Sequence, residues 1–303
     1  MTNSESKPFS IYEEPIEECP LCGSSAIKEK YTVSRFALPF SISGCKTCGF
    51  LFMNPPFTDE QINSFYTKEY YGGSANYSYI DERTNEKASA IVWDKRIETL
   101  HKYVPSGNFL DVGAAFGGLM KAAGRFYKMF GIELSPYAAE HAANISSATV
   151  HQGTLDNHPF NKNFFSAITM IELIEHLKNP VKAINECFEL LHKGGVLVIQ
   201  TANMAGLQAV LKKDKYGYFL PGHLSYFSKS NLTSALLKAG FLQVKAFIPV
   251  EFGLLPKLKK SAAAYKSIWD YRHWIRISLY HAVGKLHIGN FSPTSSMVLY
   301  AFK

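Results

Sequence analysis

Short apolar runs alternate with amphipathic stretches through the last two thirds of the chain, a pattern typical of strands that alternate with helices. The pattern predicts strands near residues 109–114, 128–134, 149–153, 165–171, 196–201, 243–249 and 296–302. The amphipathic stretches predict helices near residues 88–103, 117–126, 136–145, 179–192 and 229–239. Such alternation indicates an α/β fold with a mostly parallel sheet covered on both faces.

Two cysteine pairs precede this region, as Cys19-Pro-Leu-Cys22-Gly and Cys45-Lys-Thr-Cys48-Gly. Each pair can point two thiolates at one ion, and four thiolates complete a tetrahedron around zinc. Because no coordination position stays open, we predict a structural zinc that stabilises a segment too small to hold a core alone. Free or redox-active thiols are the alternative. Cys187 is predicted to be a packed small hydrophobe on a helix.

The chain divides into four segments, of which the last carries an insert. We predict a polar tail over 1–15, a small N-terminal zinc ribbon over 16–56, a connector or helical cover over 57–90, and a main domain over 91–303 with an insert at 254–289. Residues 1–7 lack the apolar core of a signal peptide, and no stretch of about 18 apolar residues follows. We therefore expect a cytoplasmic protein.

The insert at 254–289 places tyrosines and tryptophans among lysines and arginines, with helical periodicity over 258–287. A basic helix with an aromatic apolar side can lie in a membrane interface. A homodimer contact and plain packing against the core are the alternatives. The formal charge of +7 permits nucleic acid, anionic lipid or phosphorylated ligands. No established nucleic-acid recognition motif stands out, so nucleic acid is left as an open alternative.

A glycine-rich turn follows the first strand of the main domain, in the order Asp111-Val-Gly113-Ala-Ala115-Phe-Gly117-Gly118. Glu133 stands twenty residues after Gly113, at the end of the second predicted strand. This layout is typical of a nucleotide-binding βαβ unit, in which the acid hydrogen-bonds ribose hydroxyls.

Two cofactors suit this turn. A dinucleotide would be crowded by the methyl group of Ala115, because the middle glycine of that fingerprint lies against the pyrophosphate. S-adenosylmethionine has no phosphates, and its carboxylate and amino group need only a small-residue turn and an acid such as Asp111.

Five motifs in chain order resemble those of class I S-adenosylmethionine-dependent methyltransferases. They read Phe-Leu-Asp111-Val-Gly113, Gly-Ile-Glu133-Leu-Ser, His-Gln-Gly153-Thr-Leu, Ile-Glu172-Leu-Ile-Glu175-His176-Leu and Leu-His-Lys-Gly194-Gly195-Val-Leu-Val-Ile. The Glu-His-Leu and the later His223-Leu-Ser-Tyr-Phe-Ser228 resemble one broad group of that family. The resemblance implies a Rossmann-like, seven-stranded, mostly parallel sheet whose last strand is antiparallel.

The resemblance also implies which residues hold S-adenosylmethionine. Glu133 would bind the ribose, the Gly113 turn would line the methionine moiety, and the segment from Gly153 would lie near the adenine. The implied set is Asp111, Gly113, Ala115, Gly117, Glu133, Leu134, Thr154, Leu155 and Glu172.

An acid–histidine cluster follows the fourth strand of the main domain. If Glu172, Glu175 and His176 lie on a helix, they share one face and form a chelate. With His223 they would suit a second divalent metal. These four residues resemble the ligand set of metal-dependent O-methyltransferases. Such a metal would lower the pKa of the acceptor oxygen. Without metal, His176 or His223 alone would act as a general base toward a hydroxyl or an acidic carbon. A structural role is the third alternative. We predict that His176, with Glu175 and His223, serves the acceptor.

The acceptor is predicted to be a small molecule covered by residues 204–227, which mix lysines with aromatic rings. The family resemblance favours a sugar or nucleotide-sugar in polysaccharide or natural-product biosynthesis. An RNA 2′-hydroxyl or a quinone-like phenol is the alternative, as is a non-catalytic binding module on a degenerate methyltransferase fold.

Overall fold

The computed structural model describes residues 10–65, 81–286 and 288–303, and its strands form two sheets. The small sheet is antiparallel, in the order β1-β2-β3-β9. Its strands are β1 (Ile27–Val33), β2 (Phe40–Cys45), β3 (Leu51–Met53) and β9 (Ser225–Tyr226). The fourth strand therefore comes from the main domain, about 170 residues after β3, and it ties the cysteine-rich segment to that domain.

The large sheet has seven strands, in the order β10-β11-β8-β7-β4-β5-β6. They are β4 (Gly107–Val112), β5 (Tyr127–Glu133), β6 (Thr149–Gln152), β7 (Phe165–Ile171), β8 (Leu191–Ala202), β10 (Gln243–Phe247) and β11 (Ser296–Phe302). β11 runs antiparallel to both of its neighbours. The predicted fold class is confirmed. Because the chain runs outward in opposite directions from β4 and β7, the carboxyl ends of these strands form a switch point where ligands bind.

Nine helices in the described ranges accompany these strands. They are α1 (Asp59–Asn63), α2 (Glu86–His101), α3 (Gly118–Ala123), α4 (Pro136–Ser146), α5 (Pro180–Leu190), α6 (Leu207–Lys212), α7 (Lys229–Lys238), α8 (Leu254–Ala262) and α9 (Arg272–Gly284). Local sequence fixes several starts. Ser135 accepts a hydrogen bond from the N–H of Ala138 at the start of α4, and Ser228 forms a capping box with Asn231 at the start of α7.

The core lies on both faces of the large sheet. Central residues such as Leu110, Ile168 and Leu299 are fully buried. On one face the core continues into the cysteine-rich segment, where the ring of Phe50 lies 5.0 Å from that of Phe227. The small sheet thus shares a hydrophobic core with the main domain.

Two predicted segments differ in detail from the structure. The insert is two helices rather than one over 258–287, because Asp270 accepts hydrogen bonds from the N–H groups of Lys266 and Ser267 and starts a new turn. The helix expected near 179–192 ends at Leu190, and β8 begins at Leu191. The connector expected over 57–90 includes residues 66–80, and the tail over 1–15 includes residues 1–9; both stretches lie outside the described residues.

None of the helices in the described ranges combines the length and the apolar content needed to cross a lipid bilayer.

Candidate cofactor and acceptor site

The four paired cysteines converge at the end of the small sheet. Their sulfur atoms lie within 4.8 Å of one another, with 3.7 Å from Cys19 to Cys48 and 3.6 Å from Cys22 to Cys45. A tetrahedral zinc with Zn–S bonds of about 2.3 Å would place its sulfurs about 3.8 Å apart. Burial raises the pKa of Cys45, but the N–H groups of Cys48 and Thr47, together with the thiols of Cys22 and Cys48, lower it to about 7. The cluster is consistent with a zinc ribbon.

The turn after β4 has left-handed backbone at three of the predicted cofactor residues. The φ angles are 75° at Gly113, 45° at Ala115 and 80° at Gly117. A Cβ at Gly117 would stand 2.8 Å from the Cα of Ala142, so this position needs glycine for space as well as for conformation. Ala115 keeps its Cβ at a cost of about 1–2 kcal/mol. Strain of this kind persists where the surroundings enforce it, often at ligand sites.

Two buried carboxylates stand at the ends of β4 and β5. Glu133 accepts hydrogen bonds from the N–H of Ala115 at 2.8 Å and from the N–H of Ser135 at 2.9 Å. Asp111 accepts one from the hydroxyl of Thr169 at 2.6 Å. The carboxylate of Glu133 therefore joins the glycine turn to the start of α4.

The segment after β6 approaches the same edge of the sheet. The N–H of Gly153 donates to the carbonyl of Glu133 at 3.0 Å. Leu155 is buried, whereas Thr154 and Leu134 are exposed. The predicted adenine residues thus flank the end of β5, with an apolar side chain exposed at Leu134.

Arg83 covers the glycine turn from the segment before α2. Its guanidinium lies 3.5 Å from the ring centroid of Phe116 and donates to the hydroxyl of Tyr137 at 2.8 Å. Asp81 pairs with Arg83 at 2.8 Å. No short motif marks this contact, because it joins residues from separate parts of the chain.

Three of the predicted acceptor residues come together beyond β7. The ligand atoms of Glu175, His176 and His223 lie within 4.8 Å of one another. The rings of the two histidines are 4.6 Å apart and nearly perpendicular, at 89°. Glu172 does not belong to this group: the segment is a 3₁₀ turn over Ile174–His176 rather than an α-helix, and Glu172 precedes it with φ of 52°.

Each histidine is oriented by a backbone carbonyl. Nδ1 of His176 lies 2.9 Å from the carbonyl oxygen of Gly222, and Nδ1 of His223 lies 2.9 Å from that of Tyr218. A carbonyl only accepts, so both Nδ1 atoms carry the hydrogen and both Nε2 atoms hold the lone pair. Burial lowers the pKa of His176 to about 4; burial and then the nearby His176 hold the pKa of His223 well below its usual range. Both rings are neutral at pH 7.

Glu175 is fully buried, and its carboxylate accepts two hydrogen bonds. The hydroxyl of Thr201 donates to it at 3.0 Å, and the hydroxyl of Tyr218 donates to its other oxygen. Burial and then the neighbouring Glu172 raise its pKa well above the usual range. Sequence reasoning missed Thr201, and it treated Tyr218 only as part of a covering stretch.

A row of hydrogen-bonded polar side chains leads from the exposed Glu172 to the buried Arg96. Gln200 donates to Glu172 at 2.6 Å and accepts from Arg96, whose Nε lies 2.6 Å from Oε1 of Glu251. Arg96 stands on the buried face of α2 between Val92 and Leu100. In the sequence, these contacts are indicated only by a charged residue, Arg96, on an otherwise apolar helix face.

The small sheet holds the loop that carries His223. The N–H of Met53 in β3 donates to the carbonyl of Leu224 at 2.9 Å, and the N–H of Leu224 donates to the carbonyl of Glu175 at 2.7 Å. The cysteine-rich segment and the acid–histidine cluster are thus connected through backbone hydrogen bonds at a single residue.

The comparison with known families agrees with this geometry. A family model described as "Methyltransferase domain" matches residues 84–245, more than half of the chain. An uncharacterized protein of Methanocaldococcus jannaschii is 24% identical over 52% of this chain and 75% of its own length. The ubiquinone biosynthesis O-methyltransferase of Xanthomonas campestris pv. campestris is 29% identical over 47% of this chain, which spans 65% of that relative.

Solved structures share the fold at low identity. The Haemonchus contortus phosphoethanolamine N-methyltransferase 2, solved with S-adenosyl-L-methionine, has a TM-score of 0.56 at 14% identity, over 90% of this chain and 71% of that one. A SAM-dependent methyltransferase from Archaeoglobus fulgidus has a TM-score of 0.51 at 15% identity, over 74% of this chain and all (100%) of that one. With a domain family matched over more than half of its length, the chain belongs to the S-adenosylmethionine-dependent methyltransferases.

Proposed function

We propose that the chain methylates a sugar or nucleotide-sugar, with the acid–histidine cluster serving the acceptor. The observation that carries this proposal is the pair of oriented, neutral histidines beside the glycine turn. The glycine turn packs against the segment that carries Glu175 and His176: an added Cβ at Gly113 would stand 2.9 Å from the side chain of Leu173, two residues before Glu175. An acceptor bound over the histidines would therefore lie at the carboxyl ends of β4 and β7, where the methyl donor is expected.

The residues at the switch point fit S-adenosylmethionine, which supplies a methyl group on a sulfonium. The carboxylate of Glu133 can accept from ribose hydroxyls, and the small residues of the Gly113 turn leave room for the methionine moiety. Asp111 is buried beside them as an acid for the amino group. Leu134, Thr154, Leu155 and Glu172 complete the proposed set around the adenine and the methyl group.

His176 is proposed to take the proton of the acceptor hydroxyl through Nε2. As that proton leaves, the acceptor oxygen bonds to the methyl carbon and the carbon–sulfur bond breaks, which yields S-adenosylhomocysteine and the methyl ether. Positioning of the acceptor in line with the sulfonium supplies most of the rate. His223 and Glu175 hold the cluster in place, through the ring contact with His176 and through Tyr218.

Two polar side chains near the cluster, Glu172 and Tyr218, support a polyhydroxylated acceptor. The carboxylate of Glu172 is exposed and lies 3.4 Å from the hydroxyl of Tyr218. The ring of Tyr218 lies 4.5 Å from that of His223. A carboxylate and a phenol side by side suit the hydroxyls of a sugar, and the aromatic rings of the 204–227 stretch suit its apolar face.

A metal-assisted transfer to a phenol or an RNA 2′-hydroxyl is the second candidate. The three converging ligand atoms favour it, as do the two Nδ1–H to carbonyl bonds, which are typical of histidines that bind metals. The name of the Xanthomonas relative, a ubiquinone biosynthesis O-methyltransferase, points the same way. Metal analysis separates the ions: a divalent ion that persists in Cys45→Ser must sit outside the ribbon, and its loss in His223→Ala would assign it to the cluster.

The insert offers a second contact surface. Exposed apolar side chains on and before α9 include Ile268, Trp269, Ile275 and Leu279, and lysines and arginines stand among them. We propose that this face rests on an anionic membrane surface, because its charge complements that of the lipid. Wild type should sediment with phosphatidylglycerol vesicles and not with phosphatidylcholine vesicles, and Trp269→Ser should not sediment. If wild type instead stays in solution with both kinds of vesicle and is a dimer, while Trp269→Ser is a monomer, this face is a dimer contact.

Transfer of a labelled methyl group from S-adenosylmethionine tests the function. The acceptors are nucleotide-sugars, catechols and short RNAs, assayed in parallel with wild type, His176→Ala and the surface control His273→Ala. Wild type and the control should label a nucleotide-sugar, and His176→Ala should not, although it binds S-adenosylhomocysteine as tightly as wild type. Labelling of catechol or RNA alone would replace the sugar proposal, and normal turnover in His176→Ala would remove the proposed role of that residue. Binding of S-adenosylhomocysteine without methyl transfer to any acceptor would favour the non-catalytic binding module.

A further inference from the structure

A cavity of about 830 Å³ lies between the insert and the large sheet. Helices α8 and α9 supply its basic wall, with Lys257, Arg276 and His281 among the lining residues. Asn85 and Ser296 also line the cavity. Its volume falls within the range of about 300–1,000 Å³ that small-molecule sites occupy.

The cavity opens at the same edge of the sheet as the cluster. Val250 follows β10, and Ser296 begins β11, which runs antiparallel to the other strands. Both positions therefore lie at the carboxyl ends of the parallel strands. Burial lowers the pKa of Lys257, and the carboxylates of Glu251 and Glu172 act in the opposite direction, so its ammonium lies within electrostatic reach of Glu172.

The cavity wall carries an excess of positive charge. Of the described residues that line it, three are lysine or arginine, one is histidine, and none is aspartate or glutamate. The nearby Glu251 is already paired with Arg96 at 2.6 Å, and both side chains are at most 2% exposed. Because that carboxylate neutralises Arg96, the positive charge of the wall is not balanced by it.

Lys257 stands in an unfavourable setting for a cation. Burial, followed by the nearby Arg96 and Lys260, lowers its pKa to about 8. A cation held in this way gains from a bound anion, which offsets the desolvation of the ammonium. Positive walls of this kind also raise the local concentration of anionic ligands.

We infer that this cavity is a phosphate subsite, in which Lys257 and Arg276 hold the phosphate or diphosphate group of the acceptor. The inference rests on the proposed function, because the acceptor would extend from this subsite to His176. Guanidinium and ammonium groups are the usual partners of phosphate oxygens, and the amide of Asn85 adds a hydrogen-bond donor.

The shared ligand chemistry is a phosphate ester next to a sugar. It could come from a nucleoside diphosphate-sugar, an isoprenyl diphosphate-linked sugar or a simple sugar phosphate. The three sources differ in what lies beyond the phosphates. Pro249, Val250 and Ile277 add apolar surface to the cavity lining, which a base or an isoprenyl chain would cover and a sugar phosphate would not.

Calorimetry with inorganic pyrophosphate tests the subsite. Wild type is compared with Lys257→Met and Arg276→Gln, and with the matched control Lys259→Gln, an exposed residue of α8 that does not line the cavity. Each cavity variant should weaken pyrophosphate at least tenfold, and the control should change it less than twofold. All variants should bind S-adenosylhomocysteine as wild type does. Lys257→Met should melt no lower than wild type, because it removes a poorly solvated cation.

The same titration with UDP and with geranyl diphosphate separates the sources. A gain of tenfold or more over pyrophosphate assigns the site to the nucleoside or to the isoprenyl class, and equal affinities assign it to a sugar phosphate. Pyrophosphate that does not bind at millimolar concentration, or binds equally to Lys257→Met and Lys259→Gln, overturns the inference. If wild type does not bind S-adenosylhomocysteine, the proposed function is overturned instead, so the two failures are distinguishable.

Discussion

Replacement of Glu133 tests the link between the cofactor site and the stability of the fold. Its carboxylate accepts from the N–H groups of Ala115 and Ser135, at 2.8 and 2.9 Å. A hydrogen bond to a charged group contributes about 1.5–3 kcal/mol. Two such bonds give about 3–6 kcal/mol, and water that reaches the freed N–H groups recovers part of this. We expect Glu133→Ala to lower the free energy of unfolding by about 2–4 kcal/mol.

The assay is urea denaturation, with calorimetry of S-adenosylhomocysteine as the second readout. Glu133→Gln keeps one acceptor oxygen and should lose about half as much stability as Glu133→Ala. The control Glu140→Ala removes an exposed carboxylate from α4 and should change the free energy of unfolding by less than about 0.5 kcal/mol. Homocysteine-ligand affinity should fall at least tenfold in Glu133→Ala. Equal stability of Glu133→Ala and wild type would refute the anchoring role, whatever happened to binding.

Three further predictions concern the turn, the cluster and the ribbon. Ala115→Gly should stabilise the fold by about 1 kcal/mol, since glycine adopts φ of 45° without strain, whereas Ala122→Gly in α3 should destabilise it by about 1 kcal/mol; thermal unfolding of both variants checks this. Tyr218→Phe should lower turnover at least tenfold with homocysteine-ligand affinity unchanged, because Glu175 loses one of its two donors; unchanged turnover would refute the role. Cys45→Ser should speed hydrogen exchange at the N–H of Leu224, since the ribbon holds that residue through β3; exchange as slow as in wild type would show that the ribbon does not support the loop.

The seven strands of the large sheet could be predicted from the sequence because the central ones are apolar runs bounded by turn residues, and the edge strand β6 follows from the alternation of strands and helices. The cofactor edge could be predicted as well, since Asp111, the Gly113 turn and Glu133 lie within one βαβ unit. Local spacing carries all of this information. The structure adds a second role for Glu133, whose two backbone contacts depend on how the turn and α4 meet.

The acceptor side could be predicted only in part. The sequence predicts the cluster of Glu175, His176 and His223. The helix that it predicts through Glu172 is instead a 3₁₀ turn over Ile174–His176, and Glu172 itself has left-handed backbone. Over five residues, hydrophobic periodicity cannot distinguish an α-helix from a 3₁₀ turn. The contacts of Tyr218 join loops that are far apart in the chain, so no spacing in the sequence indicates them.

The most direct test of the central claim is a calorimetric titration of the purified protein with S-adenosylhomocysteine and, separately, with NAD. The claim is that the carboxyl ends of β4 and β5 hold the methyl donor beside the acid–histidine cluster. It predicts that one S-adenosylhomocysteine binds per chain, that Glu133→Ala lowers its affinity, and that NAD gives no heat of binding. Binding of NAD alone, or silence from both ligands, would contradict it.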